Sequence, residues 1–293
     1  TSLGTAVSVS LMLLLALIFE LKEFNWQIEY GIAFGISAFN FLLGFIGVLF
    51  LKETRITDRK IVPPKMFVAL KDKTFLQFFI INSFFGLVIA TLWPIFPIAQ
   101  INVLDLQFSQ IAIISAIFST CSSLTNFFGG KIGDRFGRKP LLIIGRMAMF
   151  TIPVITIVAI LMDNWLWLIL SNIIGGSGVG LVTVAQNAYV LDIAPEDQMG
   201  AYSGLTQVGW GIATFIGSLS FGFFADALEI TYGTRSMVLI LFTVIAVTRF
   251  IASTGYFLIE ESLDKEPEEE EKIGEIEEEA YISTFEDSQT RTK

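Results

Sequence analysis

Histidine is missing from the 293 residues, and cysteine occurs once, as Cys121. The first absence removes the commonest metal ligand and the commonest proton shuttle near neutral pH. The second rules out an intrachain disulfide and leaves the redox compartment unread. Charge is scarce: 16% of residues are Asp, Glu, Lys or Arg, whereas 53% are hydrophobic and 28 are Phe. No Asp or Glu lies deep in any long apolar run. Base-activated nucleophiles, carboxylate pairs and metal ligands are therefore lacking, so neither an enzyme nor a metal or cofactor is expected. The apolar runs are continuous, not alternating, which excludes a membrane β-barrel.

The net charge of −9 is local. Residues 260–293 hold fourteen acids and four bases, so the rest of the chain is close to neutral. A nucleic-acid partner is not suggested. The acidic segment has too little apolar surface to fold alone and reads as a disordered tail.

What the chain has in quantity is greasy length. Its mean hydropathy is +0.68. Eight runs, near 4–20, 30–51, 75–99, 107–129, 140–162, 165–190, 202–225 and 237–259, are each long enough to cross a bilayer as a helix. The fold expected is thus an all-α polytopic membrane protein. The first residue is Thr1, and no basic n-region or cleavage site precedes the first run, so that run does not read as a signal peptide. A fragment lacking N-terminal helices is the expectation.

Basic residues set the orientation. Segments 52–73 and 130–139 carry eleven Lys and Arg, and the loops on the opposite side carry only Lys22 and Arg235. The positive-inside rule puts the basic loops and both chain ends in the cytoplasm. The expected organisation is a two-helix piece over 1–51, a charged central loop over 52–74, a six-helix bundle over 75–259 and the acidic tail over 260–293.

The densest cluster of charge and glycine is "GGKIGDRFGRKP", residues 129–140. A phosphate-binding loop fails there, because Lys131 is followed by Ile132 and the glycine required earlier is Thr125. A topology anchor accounts for the four bases but not for Asp134 or the glycine spacing. A mechanical reading accounts for all of them. Gly130 and Gly133 admit a neighbouring helix. Asp134 sits near a positive helix N-terminus and pairs with a base. Gly137 permits a tight turn that brings Arg138 and Lys139 over the membrane face. Such a cluster acts as a latch between two conformations.

This stretch resembles the signature loop of the major facilitator superfamily, Gly-x-Leu-Ala-Asp-Arg-x-Gly-Arg-Lys. Gly130, Asp134, Arg135, Gly137, Arg138 and Lys139 match it in register, and Ile132 and Gly133 depart mildly. "FNWQIEYGIAFGIS" is similar to the start of family helix 6, "LKETR" to its end, and "LDIAPEDQMGAYSG" to the loop before helix 11. The resemblance implies family helices 5 to 12. Two departures stand out: Pro195-Glu196 is not followed by the usual Arg, and the antiporter motif of helix 5 is missing.

The resemblance further implies that family helices 7, 8, 10 and 11 line a substrate cavity. Polar stripes on those spans offer Asn82, Trp93, Ser119, Asn126, Gln186, Asn187, Gln207, Trp210 and Thr214 as cavity residues. The bland alternative is helix–helix glue for the hydroxyls and packing for the two Trp. Arg146 and Arg249 are read as snorkelling to the inner headgroups, with a buried ion pair as the sharper option for Arg249. The expected function is secondary active transport of a small molecule by alternating access in the cell membrane. The expected partners are the substrate, the bilayer and a coupling ion, and the protein is expected to be a monomer. The alternative is a transporter-like sensor or scaffold that moves nothing.

Overall fold

The computed structural model describes residues 66–263 together with scattered helical positions between 31 and 46. Asp72 starts the first long helix. Its carboxylate accepts the backbone N–H groups of Thr74 at 2.9 Å and Phe75 at 3.3 Å, filling the donors that a helix start leaves open. Helix α1 (Lys73–Ala90) then runs to the Pro94/Pro97 pair. A proline has no N–H to give and clashes with the preceding turn. The span is accordingly broken there, and continues as a short α2 (Ile95–Ile98) and a π-helical turn, Ala99–Val103.

Five helices follow: α3 (Phe108–Phe136), α4 (Arg138–Leu161), α5 (Leu166–Ile193), α6 (Met199–Tyr232) and α7 (Thr234–Thr254). Six of the described helical segments, counting 73–103 as one, are long and apolar enough to cross a membrane. The two further spans expected, 4–20 and 30–51, fall outside the described residues apart from helical positions in 31–46. The acidic residues beyond 263 and the central loop before 66 fall outside them as well. Large apolar side chains such as Phe127, Phe215, Phe223 and Ile230 face outward, as lipid permits and water would not.

Helix α5 packs between α3 and α4, and α1 packs on α6 and α7. Close helix approach uses glycine. At Gly176 and Gly180 of α5, a methyl group would run into the Phe118 and Ser122 carbonyl oxygens of α3. Without a hydrophobic force between helices in lipid, such backbone approach is what holds them together.

The signature stretch is more helical than its glycine content suggests. Helix α3 runs through to Phe136, and only Gly137 stands between it and α4. Its φ of 96° lies in the region that glycine alone occupies freely. Gly233, at φ 75°, makes the same one-residue junction between α6 and α7.

Candidate functional site

Two polar constellations interrupt this apolar bundle. One lies at the end where α3 meets α4. Arg138 donates from one nitrogen to Asp134 at 2.7 Å and from another to Asp192 of α5 at 3.1 Å. The Asp134 side chain is 70% exposed and that of Arg138 only 11%. Solvent screening therefore makes the first pair worth little by itself. The backbone N–H groups of Arg138 and Lys139, at the start of α4, are taken by the Glu261 carboxylate at 2.7 Å and 3.1 Å. Ser262 donates to Asp192 at 3.1 Å. The start of α4 is thus capped by the segment that follows α7.

The acid at the helix N-terminus is therefore Glu261, and Asp134 pairs with Arg138. Gly133 faces the Arg138 and Leu141 side chains of the neighbouring α4, whereas nothing lies within 4 Å of a methyl group placed at Gly130. Arg135 is exposed and lies 5.5 Å from the Phe136 ring centre. Lys139 is partly buried. Acid–arginine pairs form at this end even though the usual Arg after Pro195-Glu196 is missing. Glu261 and Ser262 fell within the tail by composition, and nothing local in the sequence marks them as docked.

The second constellation is inside. Arg146 of α4 is 1% exposed. Its guanidinium donates to the Asn82 Oδ1 of α1 at 2.9 Å and to the Gln186 Oε1 of α5 at 2.7 Å. The Tyr256 hydroxyl, just after α7, donates to the same Asn82 oxygen at 3.0 Å. Three rings cover the cation: Phe85 at 4.1 Å, Tyr256 at 5.0 Å and Trp210 at 5.4 Å from ring centre to guanidinium carbon. The Trp210 indole lies against α1 because position 86 is glycine; a methyl group there would come within 2.9 Å of the ring. Five parts of the chain converge on one charge.

No carboxylate pairs with that charge among the described residues. Amide oxygens and π-faces compensate it in part. Arg146 Nε and Asn82 Nδ2 are buried without a partner. The expected snorkelling of Arg146 is thus overturned: the guanidinium turns into the bundle, where amides and rings receive it.

Arg249 departs from expectation in the same way. It is 1% exposed and pairs with no acid among the described residues. It donates to the Met149 carbonyl at 3.1 Å and the Ile89 carbonyl at 3.0 Å. Pro153 leaves the Met149 carbonyl without its helical N–H, and Ile89 lies where α1 ends before Pro94. One guanidinium ties the proline defect of α4 to the end of α1.

The remaining cavity candidates divide. Asn82, Gln186 and Trp210 meet at Arg146. Trp93 and Thr214 line a separate open groove of about 350 Å³ with Gly211, Phe215, Ser218 and Leu219. Ser119 and Asn126 are half-buried on α3, and Asn187 and Gln207 are exposed. Tyr256, Phe85 and Arg146 itself were not among the cavity candidates. One signal was available: Asn82, Arg146 and Gln186 each lie about two turns from the same end of the bundle, hence at one depth.

Comparison with known proteins agrees with this architecture. The family profile described as Major Facilitator Superfamily matches residues 78–288. The quinolone resistance protein NorA of Staphylococcus aureus is 29% identical over 177 residues, which make up 57% of this chain and 44% of NorA. An uncharacterised MFS-type transporter of Methanocaldococcus jannaschii is 26% identical over 211 residues, 67% of this chain and 53% of that protein. The chain spans about half the length of the curated relatives it matches.

Proposed function

The chain belongs to the major facilitator superfamily, and from that premise we propose that it forms part of a secondary transporter that carries a small molecule across a membrane by alternating access. The observation that carries the reading is the buried cluster at Arg146. A polar and charged centre inside a membrane bundle is costly, and such centres mark substrate or ion paths. Similarity to a quinolone resistance protein supports a small organic molecule as cargo.

The knot at Arg138 supplies the conformational element. It joins α3, α4, α5 and the segment after α7 through two carboxylate contacts and one helix cap. Contacts of this kind hold one state and are lost in the other. By the positive-inside rule this end faces the cytoplasm. The protein acts as a monomer in the cell membrane, and a coupling ion binds elsewhere than in this bundle.

Asp134→Asn removes the charge but not the shape. It should lower flux in the full-length protein more than it lowers the amount of folded protein in the membrane. The exposed pair that is removed is worth at most about 1 kcal/mol, so a several-fold loss of flux is expected. Equal flux in the variant would reduce the knot to a topology anchor. Ligand binding by the wild type without any flux would favour the sensor reading.

A further inference from the structure

The Arg146 cluster lacks something of definite chemistry. Its cation meets only neutral acceptors, and the partnerless atoms there, Arg146 Nε and Asn82 Nδ2, are both donors. What is missing is therefore an acceptor with more than one oxygen. Burying a cation without a counter-charge is unfavourable, and one negative charge would relieve it. Arg249 Nε is likewise buried without a partner, but that guanidinium is bonded to two backbone carbonyls, of Met149 and Ile89, and not to side-chain amides that a ligand could displace.

Resting on the transport reading above, we infer that Arg146 is the recognition point for an organic monocarboxylate. A carboxylate matches the guanidinium fork and its single charge. A doubly charged phosphate would leave a net negative charge in the bundle, with no second cation in the cluster to answer it. The Gln186 amide oxygen, 2.7 Å from Arg146 Nη2, holds the place of one carboxylate oxygen. Gln186 and Trp210 are the partly buried members, while Arg146, Asn82, Phe85 and Tyr256 are fully buried. The ligand thus enters past Gln186, displaces its carbonyl and lays its apolar body beside the indole. No bond is made or broken; a neutral acceptor is exchanged for a charged one.

The test uses the full-length protein carrying this chain, in proteoliposomes. Binding of radiolabelled naphthoate is compared with that of naphthamide, its neutral counterpart, and naphthylmethylammonium. The wild type should bind naphthoate at least about tenfold more tightly than either control. Arg146→Gln should abolish the difference. Gln186→Glu supplies an internal carboxylate to Arg146 without removing the cation, so it keeps the proposal testable should Arg146→Gln fail to fold. It should weaken naphthoate binding about tenfold relative to the wild type. Equal binding of naphthoate and naphthamide, no binding of naphthoate, or full naphthoate binding by Gln186→Glu would each overturn the inference. Flux of naphthoate and of ethidium is measured in the same vesicles. Ethidium flux without naphthoate binding would sink the carboxylate site but leave transport standing. Arg146-dependent naphthoate binding with no flux of either compound would do the reverse.

Discussion

Arg249 lies deep in the bundle, and its guanidinium bonds to carbonyls on two different helices. The two bonds come from separate nitrogens, at 3.1 Å to Met149 and 3.0 Å to Ile89. A lysine keeps the charge, but its single nitrogen cannot reproduce the fork. Arg249→Lys should therefore lose at least one bond while keeping the full cost of burial. The expected loss is about 1–3 kcal/mol, the cost of an unsatisfied buried carbonyl. Thermal unfolding of the purified protein in detergent checks this, and an unchanged midpoint would mean the carbonyls find other donors. Arg146 and Arg249 also mark what residue-level reading missed. A lone Arg in an apolar run reads equally as a snorkelling side chain or a buried one. Which holds depends on acceptors at Asn82, Gln186, Met149 and Ile89, all on other helices.

Helices α3 and α5 touch through backbone. Gly180 of α5 has the Ser122 carbonyl and the Thr125 hydroxyl where a side chain would go. Gly180→Ala must push the helices apart, with an overpacking cost of about 1–3 kcal/mol. Gly222 of α6 has nothing within 4 Å of that position. Gly222→Ala should be neutral or raise stability slightly, through helix propensity. Unfolding midpoints of the two variants should separate in that order, and equal midpoints would remove close contact as the basis of packing. Element boundaries were uneven in legibility. The Pro94/Pro97 break was plain, because proline acts locally. The end of α3 was not. Segment 130–139 reads as a loop from its charges and glycines, yet charge does not break a helix, and only Gly137 leaves it.

The bundle has two ends of different character. One holds the Arg138 knot with Asp192, Glu261 and Ser262; the other holds Gly233 and Arg235, whose guanidinium donates to the Ile160 carbonyl at 2.8 Å. On a Cys121→Ser background, cysteines at Asp197 and Tyr232 should be labelled from opposite sides by an impermeant reagent, the first from the cytoplasm. Labelling of both from one side would overturn the topology. Among the described residues the acids within or beside the spans stand near span ends, as Asp192 and Asp226 do. The buried interior offers amides, hydroxyls and arginines, and the amides and hydroxyls do not titrate near neutral pH. Proton coupling, if the carrier uses it, is accordingly expected outside this bundle. Asp192→Asn and Asp226→Asn should retain uptake driven by an imposed pH gradient. Loss of that uptake with substrate exchange intact, in either variant, would put the coupling site in this half.

The amino-acid sequence by itself determined the class of solvent, the number of apolar helices from residue 73 onward, and the family. These follow from local quantities: hydropathy summed over one turn after another, prolines that interrupt a helix where they stand, and a motif contiguous in the chain. It also gave Asn82, Gln186 and Trp210 as polar or aromatic interruptions of apolar faces. Only the tertiary structure decided that these three meet at Arg146, that Tyr256 joins them, and that Glu261 caps a helix which begins more than a hundred residues earlier. The reason is geometric. A guanidinium reaches its acceptors through a long flexible stem, so its partners are set by how helices pack and at what depth, and no periodicity within a single helix records that.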